Sequence, residues 1–172
     1  PLRPLTAADT TGKHFDIAGL TDANLSVGAE VQRPQGGGNP ALVLDYGKPV
    51  TVRSASLYAP GTAMIFFGAV FEPRLEASDD GLAWRNVVDF QTGQVPVTVS
   101  FPAVTARHFR VEFLPRKGGG LQMGAAAEGL DMPDVAASFG AAFTGRPVTV
   151  GDFKLSSEPL IDRGETKAGF IV

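Results

Sequence analysis

Residues Arg107 to Leu114 read RHFRVEFL, with Phe109, Val111 and Phe113 falling on one side of the alternation and His108, Arg110 and Glu112 on the other. Successive side chains of a strand point to opposite faces, so a period of two with one apolar set describes a sheet packed on one side and wet on the other. Upstream, VPVTVSF (95–101) repeats the pattern: Val95, Val97, Val99 and Phe101 separate from Pro96, Thr98 and Ser100. Pro96 has no N–H to give to a ladder, which makes this an edge strand or places the proline at its start.

Outward from this pair, strand patterns recur at ALVLDY (41–46), VTVRSASLY (50–58), MIFFGAVFEPRLEAS (64–78, with a break expected near Pro73), WRNVVDF (84–90) and VTVGDFKLS (148–156). Seven or eight short strands separated by turn residues predict an all-β chain, an antiparallel jelly-roll β-sandwich. MPDVAASFGAAF (132–143) is the one helix-compatible stretch, and Gly140 weakens it. The run MIFFGAVF (64–71) is nearly all apolar, which predicts burial on both faces, within the domain or against a partner.

The chain has 172 residues, 44% of them hydrophobic, enough for one well-cored domain. Lys+Arg 15 against Asp+Glu 18 leaves a net charge of -3 with no like-charge run, which argues against nucleic acid or an anionic membrane as partner. Without cysteine there is no disulfide, thiolate nucleophile or cysteine-held zinc. No apolar window approaches the roughly 18 residues of a membrane span, and the first residues carry no signal-like apolar stretch.

LEASDDGLAW (75–84) sets two adjacent aspartates beside the lone tryptophan. Asp-Gly between apolar runs predicts a hairpin turn at Asp79, Asp80 and Gly81, with Trp84 opening the next strand as a core anchor, the alternative being a sugar-stacking face. Adjacent turn carboxylates do not make a glycosidase pair, which needs two groups about 5 to 9 Å apart across a cleft. His14 and His108 lie far apart in sequence. No catalytic residue is therefore assigned.

The glycine triplets PQGGGNP (34–40) and RKGGGLQMG (116–124) are not phosphate loops, since neither is followed by Lys-Ser/Thr. They read as surface loops. LTDANLSVG (20–28) places oxygen ligands at alternate positions, an arrangement suited to an Asx-turn or to calcium.

Taken in order, the loop around Asp22 and Asn24, the Asp45-Tyr46-Gly47 turn, the Ser-Asp-Asp-Gly hairpin and the strand Thr105-Ala106-Arg107 to Phe109-Arg110-Val111 resemble the discoidin-like, galactose-binding-like β-sandwich family over residues 20–157. The tail SSEPLIDRGETKAGFIV is similar to the segment that follows such a sandwich in bacterial glycoside hydrolases of the large α-L-rhamnosidase type, through Glu158, Pro159, Arg163, Glu165, Lys167, Ala168, Gly169 and Phe170. Gly164 and Asp162 depart from that pattern.

The resemblance implies a sandwich over 1–157 and a linker over 158–172 toward a following domain. It also implies a non-catalytic accessory module of a secreted or periplasmic bacterial glycoside hydrolase, binding glycan or forming a wall of the substrate cleft. On loop position, Arg33, Gln35, Asn39 and Arg116 are the expected hydroxyl-binding residues and Phe66 or Phe67 the stacking face. The family's calcium loop maps onto Asp22 and Asn24, with Ala23 where glycine is usual, so a structural calcium is an open expectation. The competing reading is a structural module that braces the catalytic domain without binding sugar.

Overall fold

Two long antiparallel strands, β3 (Ala41–Tyr58) and β8 (Val97–Pro115), carry the architecture and pair from Ala41↔Glu112 to Leu57↔Val97. They belong to a computed structural model that describes residues 1–22, 28–64, 68–91, 95–116 and 145–160. On the outer side of β3, β1 (Thr6–Asp9) pairs with its first half and β10 (Asp152–Ser156) with its second. Beyond β8 lie β6 (Phe71–Ser78) and then β7 (Arg85–Asp89). A separate two-stranded layer joins β2 (Ala29–Val31) to β9 (Val148–Val150), and a short pair joins β4 (Ala63–Met64) to β5 (Gly68–Ala69). Every strand pair among the described residues is antiparallel, as the sequence predicts.

The expected short strands merge because the β3–β8 ladder slips twice without breaking. The slips fall between Asp45 and Val50 and between Val52 and Ser54. At the first, Gly47 takes φ 70° and its N–H donates to Asp45 Oδ1 at 2.7 Å, so the expected strand-ending turn is a bulge instead. The inward set of β8 changes phase there, from Phe109, Val111 and Phe113 to Ala106 and Val104. At the second slip β3 changes phase too, from Val52 to Ala55 and Leu57. Both halves of each strand thus bury apolar residues despite the bends.

One core receives both layers. Phe109, Phe113, Leu42 and Leu75 from the large sheet meet Val31, Val148 and Val150 from the small one, each essentially inaccessible. Burial of such a side chain contributes roughly 1.5–3 kcal/mol. Tyr46 packs edge-on against Phe109 with centroids 6.0 Å apart. Its hydroxyl is buried without a hydrogen-bond partner among the described residues, and burial pushes its ionisation far above the ordinary range. Asp9 is also buried and ties β1 to β2: Oδ1 accepts from Thr11 and Lys13 N–H, and Oδ2 from Gln32 N–H at 3.0 Å.

Three local expectations need correction. Pro73 does not break its strand; it sits in β6 opposite Phe113. Its carbonyl accepts from Phe90 N–H at 2.8 Å, just past the end of β7, so the missing proline N–H faces a side where the ladder has already ended. A short helix, α1 (Ile17–Thr21), capped by Asp16 accepting from Ala18 N–H, was not foreseen. Trp84 is not a core anchor: it is half-buried on the outer face of the sheet with Arg110 over its ring. The predicted helix over 132–143 and the centre of the 64–71 run lie outside the described residues.

Candidate functional site

The turn at Asp79 to Gly81 forms as predicted. Asp80 Oδ1 accepts from Leu82 and Ala83 N–H at 2.8 and 2.9 Å and from the Ser78 hydroxyl, and Gly81 takes φ 76°. Those donors, Ala83 first, hold the Asp80 pKa down to about 2. A carboxylate so bound stays ionised at neutral pH and has no proton to give, the opposite of a general acid. Asp79 faces Arg85 at 3.1 Å.

Alternation in β6 turns Leu75 and Ala77 inward and Glu72, Arg74 and Glu76 outward, and the register then assembles rows of opposite charge. One row sets Glu112 opposite Arg74 and Arg74 opposite Asp89. Arg74 Nε donates to Asp89 Oδ1 at 2.7 Å, and Asn39 Nδ2 donates to Glu112 Oε1 at 3.2 Å. The Asp89 hydrogen bond, followed by the fields of Asp89, Glu76 and Glu112, raises the Arg74 pKa above its ordinary value. The next row pairs Arg110 with Glu76, Nε to Oε2 at 2.6 Å, beneath the Trp84 indole. A third joins Asp45 to His108, while Arg107 clamps Asp45 through two N–H groups at 2.9 and 2.8 Å. This clamp, with Gly47 N–H and His108 behind it, lowers the Asp45 pKa to about 2.

Three backbone bonds gather the loops at one end of the sheet: Phe113 N–H to Pro40, Arg116 N–H to Val70, and Phe90 N–H to Pro73. Between them opens a cleft of about 430 Å3 lined by Glu72, Arg74, Asp89, Phe90, Gln91 and Arg116. Arg116 Nε lies 3.5 Å from Glu72 Oε1, and both side chains are at least half exposed. Phe90 is buried and forms floor, not a stacking platform. A smaller hollow of about 240 Å3 lies by Phe15, Leu20 and Gly28.

Of the residues proposed from sequence, Arg116 lines the cleft and Asn39 lies at the same end, its amide committed to Glu112. Arg33 and Gln35 are exposed on the neighbouring loop, where Arg33 Nε donates to Gly38 O at 3.0 Å. Phe66, Phe67 and Asn24 lie outside the described residues, and Asp22 caps the end of α1. Among the described residues no group of three His, Asp or Glu gathers as a metal site. Glu72, Arg74, Asp89 and Gln91 were not singled out from sequence; outward alternation of charge in FEPRLEAS was the available signal.

This two-layer antiparallel fold is a galactose-binding-like β-sandwich, and the resemblance read in the sequence is borne out by solved structures. The chain is similar over its whole length to part of a rhamnosidase from Novosphingobium sp. PP1Y, at 34% identity and TM-score 0.69, and spans 13% of that longer chain. It shares its fold with chitosan-binding module 2 of a chitosanase/glucanase from Paenibacillus sp. IK-5, solved with chitotriose, at 13% identity and TM-score 0.54 over 90% of this chain and 96% of that one. It shares it as well with the CBM32 of AlyQ, in complex with 4,5-unsaturated mannuronic acid, at 13% identity and TM-score 0.53 over the same shares, 90% and 96%. No family model matches the chain, and no curated protein gives a significant match.

Proposed function

We propose that this chain is a non-catalytic accessory module of a secreted or periplasmic glycoside hydrolase of rhamnosidase type, and that it binds glycan weakly in the cleft at the end of its sheet. The observation that carries the reading is the full-length similarity to one region of a rhamnosidase, at 34% identity. The cleft supports it chemically. Arg116, Arg74, Asp89 and Glu72 offer donors and acceptors side by side, the means by which proteins hold sugar hydroxyls. Arg33, Gln35 and Asn39 would extend the site along the neighbouring loop, Phe66 or Phe67 would supply a stacking face, and calcium at Asp22 and Asn24 would be structural.

One feature favours the alternative, a module that braces a catalytic domain without binding sugar. Past β10 the chain crosses the sheet: Ser54 Oγ donates to Glu158 O at 2.6 Å and Leu160 N–H donates to Ser100 Oγ at 3.0 Å. The described end of the chain is thereby tied to both long strands, the kind of anchorage a brace requires.

Calorimetric titration of the chain with rhamnose, galactose and pectin-derived oligosaccharides, with and without calcium, tests the first reading. Saturable binding in the high-micromolar to millimolar range, lost in Arg116→Ala, supports it. Absence of binding together with tight association to the separately made catalytic domain supports the brace.

A further inference from the structure

We propose that the cleft selects neutral, hydroxyl-rich glycans and rejects those carrying carboxylate or ammonium groups. The inference rests on the reading that the cleft binds glycan at all. It goes further because the fold leaves charge class open: structures sharing it hold an unsaturated mannuronic acid, which is anionic, and chitotriose from a chitosan-binding module.

The charges lining this cleft cancel in pairs. Arg74 bonds Asp89 at 2.7 Å and Arg116 faces Glu72 at 3.5 Å, two cations against two carboxylates. Glu112, across from Arg74 on β8, is itself matched by Arg110 at 4.0 Å, so it adds no unbalanced charge to the cleft. A uronate approaching Arg116 would bring its carboxylate beside Glu72, and one approaching Arg74 would have to displace Asp89; in either position it meets a like charge. An ammonium group would meet the two guanidinium groups. Both would shed hydration without finding an unpaired counter-charge.

A neutral vicinal diol meets no such obstacle. One hydroxyl donates to a carboxylate oxygen while its neighbour accepts from the adjacent guanidinium, and the pair's own attraction persists. The Asp89 side chain is 61% exposed and bonded through Oδ1, so its surface is open to such a contact. With no net charge exchanged, affinity should barely change with salt.

The test is titration of the 172-residue chain at pH 7 with a neutral galactose trimer, a trigalacturonate and a glucosamine trimer, at low and high salt, repeated on Arg116→Ala and Glu72→Gln with folding checked by circular dichroism. Expected is binding of the neutral trimer alone, indifferent to salt and weakened about tenfold or more in Arg116→Ala. Glu72→Gln, which uncovers the Arg116 charge, should newly admit trigalacturonate. If trigalacturonate or the glucosamine trimer binds the unmodified chain as tightly as the neutral trimer, and Arg116→Ala abolishes it, the selectivity is wrong while the cleft remains the site. If nothing binds, or binding ignores Arg116→Ala, the site assignment falls and the selectivity with it.

Discussion

The guanidinium of Arg110 lies 4.4 Å from the centre of the Trp84 ring, while its Nε donates to Glu76 Oε2 at 2.6 Å. A cation is thus held between an aromatic face and a carboxylate that is itself nearly buried, on the side of the sheet away from the core.

Removing Arg110 should therefore do more than remove a surface ion pair. Arg110→Ala leaves Glu76 shielded and unpaired, and should destabilise the fold by about 2 kcal/mol, with Arg110→Lys restoring only part because it cannot both stack and bond through a planar fork. Urea denaturation followed by fluorescence checks this. Trp84 is the single tryptophan, so its emission follows unfolding from one known position in the sheet.

Acid should weaken the fold through Asp45 and Asp80. Each has a folded pKa of about 2 against an ordinary value of 3.8. The unfolded chain therefore binds protons more readily, and the contribution is complete above about pH 4 and lost as the pH falls toward 2. Asp45→Asn should lower the melting temperature at pH 7 and converge on the unmodified chain near pH 2. An unchanged difference across that range would show that the Arg107 clamp does not stabilise the fold.

Tyr46→Phe should leave stability unchanged or raise it, by up to about 1 kcal/mol, because the buried hydroxyl makes no hydrogen bond among the described residues while the ring contact with Phe109 survives. A loss above about 1 kcal/mol in denaturant titration would mean that the hydroxyl has a partner.

Gly28→Ala should destabilise by about 1–3 kcal/mol. A Cβ there would lie 2.7 Å from Thr149 Cγ2 and 2.9 Å from the Val150 carbonyl oxygen, and the backbone of β9 cannot yield cheaply. Gly36→Ala, in open space but at φ 94°, isolates backbone strain as the control. Thermal melts of the two variants separate crowding from conformation.

Alternation revealed what depends on neighbours along the chain. Phe109, Val111 and Phe113 were legible as core, and Asp79 to Gly81 as a turn, because each signal is local. Trp84 was misread because its partner, Arg110, is supplied by a different strand, and only the register of β6 on β7 and β8 brings the two together. Asp45 to Gly47 looked like a strand end because a glycine at positive φ serves a bulge as well as a turn. The cleft was half visible. Arg116 belonged to a conspicuous loop, whereas Glu72, Arg74 and Asp89 looked like ordinary solvated positions until the strands were paired.

The slip at Arg53 also governs how the chain can change in length. Losing one residue from a regular strand turns every later side chain to the wrong face. In β3 the inward set already passes from Val52 to Ala55, so deleting Arg53 would place Val52, Ala55 and Leu57 on one uninterrupted alternation, keeping all three inward. The same deletion at Val43 would drive the buried Leu42 out of step with Leu44 and Tyr46. At this slip it is β8 that carries the extra residues, running from Val104 to Ser100 while β3 runs only from Val52 to Ser54. For the apolar face of β3, a lost residue is nonetheless less disruptive at Arg53 than ten residues earlier.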